Sequence, residues 1–223
     1  MEWIDYPDAD LMAMHLANRL AGELTAVLEH KERALFVVPG GTTPGPVFDI
    51  LCDADLDWSR VDVCLSDERW LPAVHVRSNA RLVRERLLVG RARQARFLPL
   101  YVPDRAPEEV LAELEAAIVP ALPINVCLLG MGTDMHVASL IPGAEGLETA
   151  FGPDAPVLVA IRAPSVPEPR VSLSARVLRD SLALHLVITG AAKKAALERA
   201  RALDPLQAPV AALLDEAMVH WAP

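Results

Sequence analysis

The stretch LALHLVITG (182–190) runs without a linker into AAKKAALERARAL (191–203). The first piece is apolar at almost every position, which suits a strand covered on both faces rather than one alternating between core and solvent. The second, opened by a glycine and rich in alanine, leucine and charge, is a helix. A buried strand delivered directly into a helix is half of a parallel βαβ unit. The same grammar recurs upstream. ALFVVPGG (34–41) is a buried strand entering a tight turn, and Pro44 suits the first turn of the helix that follows. INVCLLG (124–130) is the clearest buried strand of the chain.

Outward from these strands the pattern continues. Asp8 or Asp10 caps a helix reaching His30, with Leu11, Met14, Leu16, Leu20, Leu24, Val27 and Leu28 near helical spacing. VDVCLSDER (61–69) is expected as one short strand ending in charge, and Ser78 caps a helix running to Leu88. RFLPLYV (96–102), PVLVAI (156–161), RVSLS (170–174) and AMVHW (217–221) are strand candidates. Helices are expected over 106–122 and near Val210 to Leu214. The proline-rich 163–169 segment is expected to be a mobile connection or lid. Strands alternating with helices imply an α/β fold. The expectation is a Rossmann-like, mostly parallel sheet with helices on both faces, in a single domain over residues 1–223.

Composition narrows the function classes. The chain has 223 residues and a formal charge of −9, which argues against a nucleic-acid or anionic-membrane surface, since phosphate backbones demand clustered Lys and Arg. Aromatics are only 4 %, so Ala, Leu and Val must build the core. Cys52, Cys64 and Cys127 show no CxxC spacing and are expected as buried thiols, not a disulfide or zinc site. MEWIDYPDAD at the N-terminus carries no basic, apolar leader pattern, and no stretch is long enough for a membrane span. A cytoplasmic protein, monomeric or a weak homodimer, is expected.

Four strand ends carry the unusual residues: PGGTTPG (39–45), SDERW (66–70), GMGTDMH (130–136) and TGAAKK (189–194). In an open parallel sheet these share one edge, where ligands bind. Gly40, Gly41, Thr42 and Thr43 offer backbone N–H groups and hydroxyls to an anion; by themselves they are also an ordinary strand–helix turn. Neither GxxxxGK[ST] nor GxGxxG is present. Arg69 can grip a phosphate or carboxylate, or belong to a surface ion cluster with Asp67 and Glu68. Lys193 stands in the first turn of a helix, where the dipole disfavours a cation; a bound anion would account for it. Lys194 is read as a solvated surface lysine. His136 follows a strand end with Asp134 two residues before it, so a carboxylate can orient an imidazole able to take a proton near neutrality. His15, His30, His75, His185 and His220 are read as structural, and Ser139 as a helix-start hydroxyl.

Taken in order along the chain, these pieces resemble the 6-phosphogluconolactonase family, within the wider group that includes glucosamine-6-phosphate deaminase. VPGGTTP is similar to its phosphate loop and LSDERWLPAVHVRSNARLVRERLL to its DER…SN segment. LLGMGTDMHVASLIPG is similar to its GxGxDGHxASLFPG, and PRVSLS and TGAAKK to its RxTLT and GxxK pieces. The resemblance implies hydrolysis of a small sugar-phosphate lactone in the pentose phosphate pathway, with neither metal nor nucleotide cofactor. It implies His136 as general base, Asp134, Asp67 and Arg69 beside it, and Gly40, Gly41, Thr42, Thr43, Lys193 and Arg170 around the phosphate. Arg77, Arg81 and Arg162 are further candidates for the ligand. Met135 replaces a family glycine, so a left-handed backbone there would be strained. Two alternatives stand beside this reading. A deaminase-isomerase would carry a glutamate where Ile141 stands. A sugar-phosphate sensor would need an output module.

Overall fold

The computed structural model describes all 223 residues. In chain order the elements are β1 (Glu2–Asp5), α1 (Ala9–Leu28), β2 (Ala34–Val38), α2 (Gly45–Leu51), β3 (Val61–Leu65), β4 (Asp67–Arg69), α3 (Asn79–Arg86) and β5 (Arg96–Leu98). There follow α4 (Leu111–Ile118), β6 (Val126–Gly130), α5 (Leu147–Phe151), β7 (Leu158–Ile161), β8 (Arg170–Leu173), α6 (Ala175–Arg179), β9 (Ala183–Thr189), α7 (Ala191–Ala200) and β10 (Ala217–Ala222).

Seven strands form one parallel sheet in the order β1-β10-β9-β6-β2-β3-β5. Every residue of β2 and β3 is buried, so both faces of the sheet are covered. From β2 the chain builds outward through β3 and β5, then returns to the other side of β2 for β6, β9 and β10. The order therefore reverses between β2 and β6. In open α/β sheets the crevice beyond the carboxyl ends of such a pair is the natural ligand site. Helix α1 shows how sequence sets the covering layer. The Asp8 carboxylate accepts from Leu11 N at 2.7 Å, a cap contributing about 1 kcal/mol. Met12, Leu16, Leu20, Leu24 and Leu28 then repeat on its buried face. Sixty-four buried apolar residues form one continuous cluster.

Several expectations need correction. VDVCLSDER is two strands, because Ser66 turns the chain out of the parallel sheet. Asp67–Arg69 pairs instead with β8, antiparallel, in a second sheet ordered β4-β8-β7. The 156–161 and 170–174 strands also belong to that sheet, so the alternating pattern hid a local antiparallel unit. The 106–122 helix is α4 flanked by 3₁₀ turns at Pro107–Glu109 and Val119–Ala121, with Pro107 and Pro120 inside those turns. Pro209–Leu213 is a 3₁₀ turn rather than an α-helix, and the 96–102 strand stops at Leu98 before Pro99. β1 was not anticipated: its four residues are too few for periodicity to register. The 163–169 segment is anchored, not free. Its Glu168 is buried between Arg77 at 2.8 Å and Arg170 at 3.3 Å, and Pro169 O accepts from Trp70 N.

Candidate active site

The reversal point between β2 and β6 opens into a cleft of about 250 Å³. Its walls include Gly40, Gly41, Thr42, Thr43, Asp67, Arg69, Asn79, Gly132, His136, Arg170 and Lys193. All four predicted strand ends meet there, three from the parallel sheet and one from β4. Arg77, Arg81 and Arg162 do not line it. Arg77 pairs with Glu168, Arg81 with Glu85 and Arg162 with Glu108. Lys194 does not either, nor is it simply solvated: its Nζ lies 3.9 Å from the Trp221 ring centroid and 3.3 Å from Asp5.

The glycine-threonine loop leaves β2 and enters α2. Gly40 is required by close approach, since a Cβ there would overlap the Asn79 carboxamide. Asn79 is itself fixed, donating from Nδ2 to Asp67 O at 2.9 Å. Behind it lies Glu68, buried, whose carboxylate accepts from Arg69 N (2.8 Å), Asn79 N (2.8 Å), Ala80 N (2.7 Å) and Ser78 Oγ (3.0 Å). Burial pushes the Glu68 carboxyl above its usual range, against four donors that favour the charged form. Glu68 thus clamps the end of β4 to the start of α3. Sequence reasoning missed both Glu68 and Asn79, although the Ser78 cap pointed to the same junction.

Cations crowd one side of the cleft. Arg69 and Arg170 are register partners across the β4–β8 ladder. Burial, then the neighbouring Arg69 charge, lowers the pKa of Arg170. Lys193 Nζ, half-buried at the start of α7, is 3.4 Å from Thr43 Oγ1, and burial lowers its pKa as well. Desolvated cations gathered without a neutralising carboxylate at Lys193 favour an anionic ligand.

His136 faces them from the turn after β6. Its Nδ1 lies 2.6 Å from Asp134 Oδ1, and that contact holds the Asp134 carboxyl below its usual pKa. Gly132 is also required here, because a Cβ would overlap both the imidazole and the Asp134 carboxylate. Met135 adopts φ 68° and Ala138 φ 50°, so the left-handed backbone expected to be strained at Met135 is present. Ser139 starts no helix; it is buried, and its hydroxyl donates to Asp67 Oδ2 at 2.6 Å. Cys52, Cys64 and Cys127 are free and buried; burial pushes the Cys64 and Cys127 thiols up to about 12.

Residues 7–221 match the model of glucosamine-6-phosphate isomerases/6-phosphogluconolactonase. The chain is 43 % identical to a 6-phosphogluconolactonase of Pseudomonas aeruginosa, over 95 % of this chain and 90 % of the relative. It is 41 % identical to one of Caulobacter vibrioides, over 92 % and 90 %. The crystal structure of a 6-phosphogluconolactonase from Shewanella baltica superposes with a TM-score of 0.96 at 30 % identity, covering 100 % of this chain and 98 % of that one. On these grounds the chain belongs to the glucosamine-6-phosphate isomerase/6-phosphogluconolactonase family.

Proposed function

We propose that the chain hydrolyses 6-phospho-D-glucono-1,5-lactone to 6-phospho-D-gluconate, the lactonase step of the oxidative pentose phosphate pathway. The observation that carries this is the shared cleft: the His136–Asp134 pair on one wall and the Thr43–Lys193 pair on another. In this reading the loop 40–43, Lys193 and Arg170 hold the 6-phosphate. Asp134 accepts from His136 Nδ1–H, leaving Nε2 free to take a proton from water. The hydroxide attacks the C1 carbonyl, and the oxyanion develops beside Arg69. Collapse of the intermediate breaks the bond from C1 to the ring oxygen, which takes its proton back from His136. No step calls for a metal or nucleotide.

The deaminase alternative needs a carboxylate where this chain has Ile141, which is buried and apolar. The continuous core supports a single-domain reading. No helix is long and apolar enough to cross a membrane. The same reading takes the chain as a cytoplasmic enzyme acting on a free sugar phosphate, as monomer or weak homodimer. Acid release from freshly prepared lactone, above its spontaneous hydrolysis, tests the proposal. Catalysed release is expected; ammonia release from glucosamine 6-phosphate without lactonase activity would overturn it.

A further inference from the structure

Apart from the Asp134 contact, the His136 turn is closed by Gly132 N donating to His136 O and Met135 N donating to Gly132 O, and it is reached from outside by Val210 N, which donates to Met135 O at 3.1 Å. Val210 belongs to the 3₁₀ turn at 209–213, so none of these bonds ties the turn to the strands that carry the arginines. Ser139, three residues on and fully buried, donates from Oγ to Asp67 Oδ2 at 2.6 Å. Its backbone N–H donates to Ser172 Oγ at 3.2 Å. Ser172 is the register partner of Asp67 across the β4–β8 ladder. The other carboxylate oxygen of Asp67 is occupied by Ser66 Oγ at 2.9 Å. Asp67 borders the cleft, yet both of its carboxylate oxygens are engaged by hydroxyl donors in the seam between the His136 turn and the small sheet.

We infer that Ser139 is a positioning residue for the hydrolysis, and that Asp67 is its anchor rather than a second base. The bond joins the turn bearing His136 to the sheet bearing Arg69 and Arg170. It therefore sets how far the imidazole stands from the group that meets the developing oxyanion. A charge-assisted hydroxyl–carboxylate bond of this length, away from solvent, is among the stronger tethers a protein can place there. It also holds a turn whose Met135 and Ala138 sit in strained conformations, and such strain persists only where the surroundings over-determine it. The 40–43 loop and Lys193 lie on other elements, and Arg170 keeps its own place in the β4–β8 ladder, so loosening the tether should displace the base without weakening ground-state binding.

This inference rests on the lactonase reading, and the experiment separates the two. In Ser139→Ala the lactonase kcat is expected to fall about tenfold, since sub-ångström to 1 Å misplacements of reacting groups cost up to about 10²-fold. KM should stay within about twofold, because the anchors are untouched. The same substitution in a His136→Ala background should produce no further loss, since Ser139 acts through His136. Asp67→Asn keeps the shape but cannot accept both hydroxyls, and should give the same kcat-only loss; it carries the test if Ser139→Ala does not fold. Wild-type kcat in both single variants, a rise in KM alone, or an equal loss in the His136→Ala background would overturn the inference. A wild-type chain without lactonase activity would overturn the reading of the reaction as well.

Discussion

Asp134 and His136 form a closed unit: Nδ1 to Oδ1 is 2.6 Å, and the same carboxylate oxygen accepts from the His136 backbone N–H at 3.3 Å. One oxygen thus fixes both the ring and the peptide that carries it. The arrangement settles which nitrogen is free for chemistry, because a ring bonded through Nδ1–H must present Nε2.

His136→Ala is therefore expected to lower kcat by about 10²–10⁴-fold, the usual range for removing a general base, with product affinity within a few-fold of wild type. Asp134→Asn should lower kcat by about 10²-fold, because an amide neither stabilises the imidazolium nor enforces one tautomer. Stopped lactonase assays paired with 6-phosphogluconate titrations check both. Loss of product binding in step with activity would point to a collapsed cleft instead.

Gly40→Ala sets a methyl against the Asn79 carboxamide, which cannot swing away without breaking its bond to Asp67 O. The loop should shift, and with it the phosphate. KM is expected to rise about tenfold or more while kcat changes less, because the loop contacts the anchor and not the reacting carbon. An unchanged KM would show that the loop lies outside the substrate's reach.

How much of this was legible beforehand follows from the physics of each signal. The buried strands at 34–38, 124–130 and 182–190 declared themselves by unbroken apolar runs, and their polar ends declared the shared rim. Asp8 and Ser78 announced their helices, and both accept the capping bonds expected, from Leu11 N and Arg81 N. What stayed hidden was non-local. Nothing near Asp67 says that it will meet Ser139, 72 residues away. Three residues of DER cannot signal that they leave one sheet for another. Glu68 looked like a surface acid because burying a carboxylate depends on four donors, three of them backbone groups that no side-chain pattern records.

The buried His220 should make stability depend on acid. Tyr6 Oη lies 2.9 Å from His220 Nδ1, His220 Nε2 3.0 Å from His185 Nδ1, and His185 Nε2 2.7 Å from Glu23 Oε2. A neutral chain satisfies all three bonds in one direction, from the tyrosine hydroxyl to the carboxylate. Burial, then the His185 and Arg19 charges, pushes the His220 pKa down to about 3. Below about 6.5 the unfolded chain binds a proton at His220 that the folded one refuses. Stability should thus fall as pH drops from about 6.5 toward 3, by up to about 1.4 kcal/mol per unit from this group. Denaturant titrations between pH 7 and 4.5 should show the slope, and His220→Gln should flatten it. An identical slope in the variant would assign it to other groups.

Ala138 holds φ 50° and partly lines the cleft, so only its methyl opposes the left-handed backbone. Ala138→Gly should raise stability by up to about 1 kcal/mol, the left-handed penalty less the added freedom of glycine when unfolded. Met135→Gly should gain less or nothing, because Met135 also packs against the core. Thermal melts of the two variants rank the effects; a lower melting temperature for Ala138→Gly would show that the turn depends on that methyl.

Lys193 and Arg69 should divide the free energy of the reaction between them. Lys193 stands beside Thr43 in the first turn of α7, where the helix dipole disfavours a cation and burial already lowers its pKa. Its cost to the empty protein is recovered only when an anion is bound. Lys193→Ala is thus expected to raise KM by about 10–100-fold, leave kcat within about threefold, and leave the unliganded melting temperature equal or slightly higher. Arg69 donates from one terminal nitrogen to Arg77 O at 2.6 Å, which holds its guanidinium at the cleft. If it meets the oxyanion, Arg69→Met should lower kcat and kcat/KM together by about 10²-fold, since an interaction made only in the transition state does not show in KM. Should the two variants exchange signatures, the phosphate and the lactone carbonyl lie the other way round in the cleft, with the arginine pair as anchor and Lys193 beside the reacting carbon.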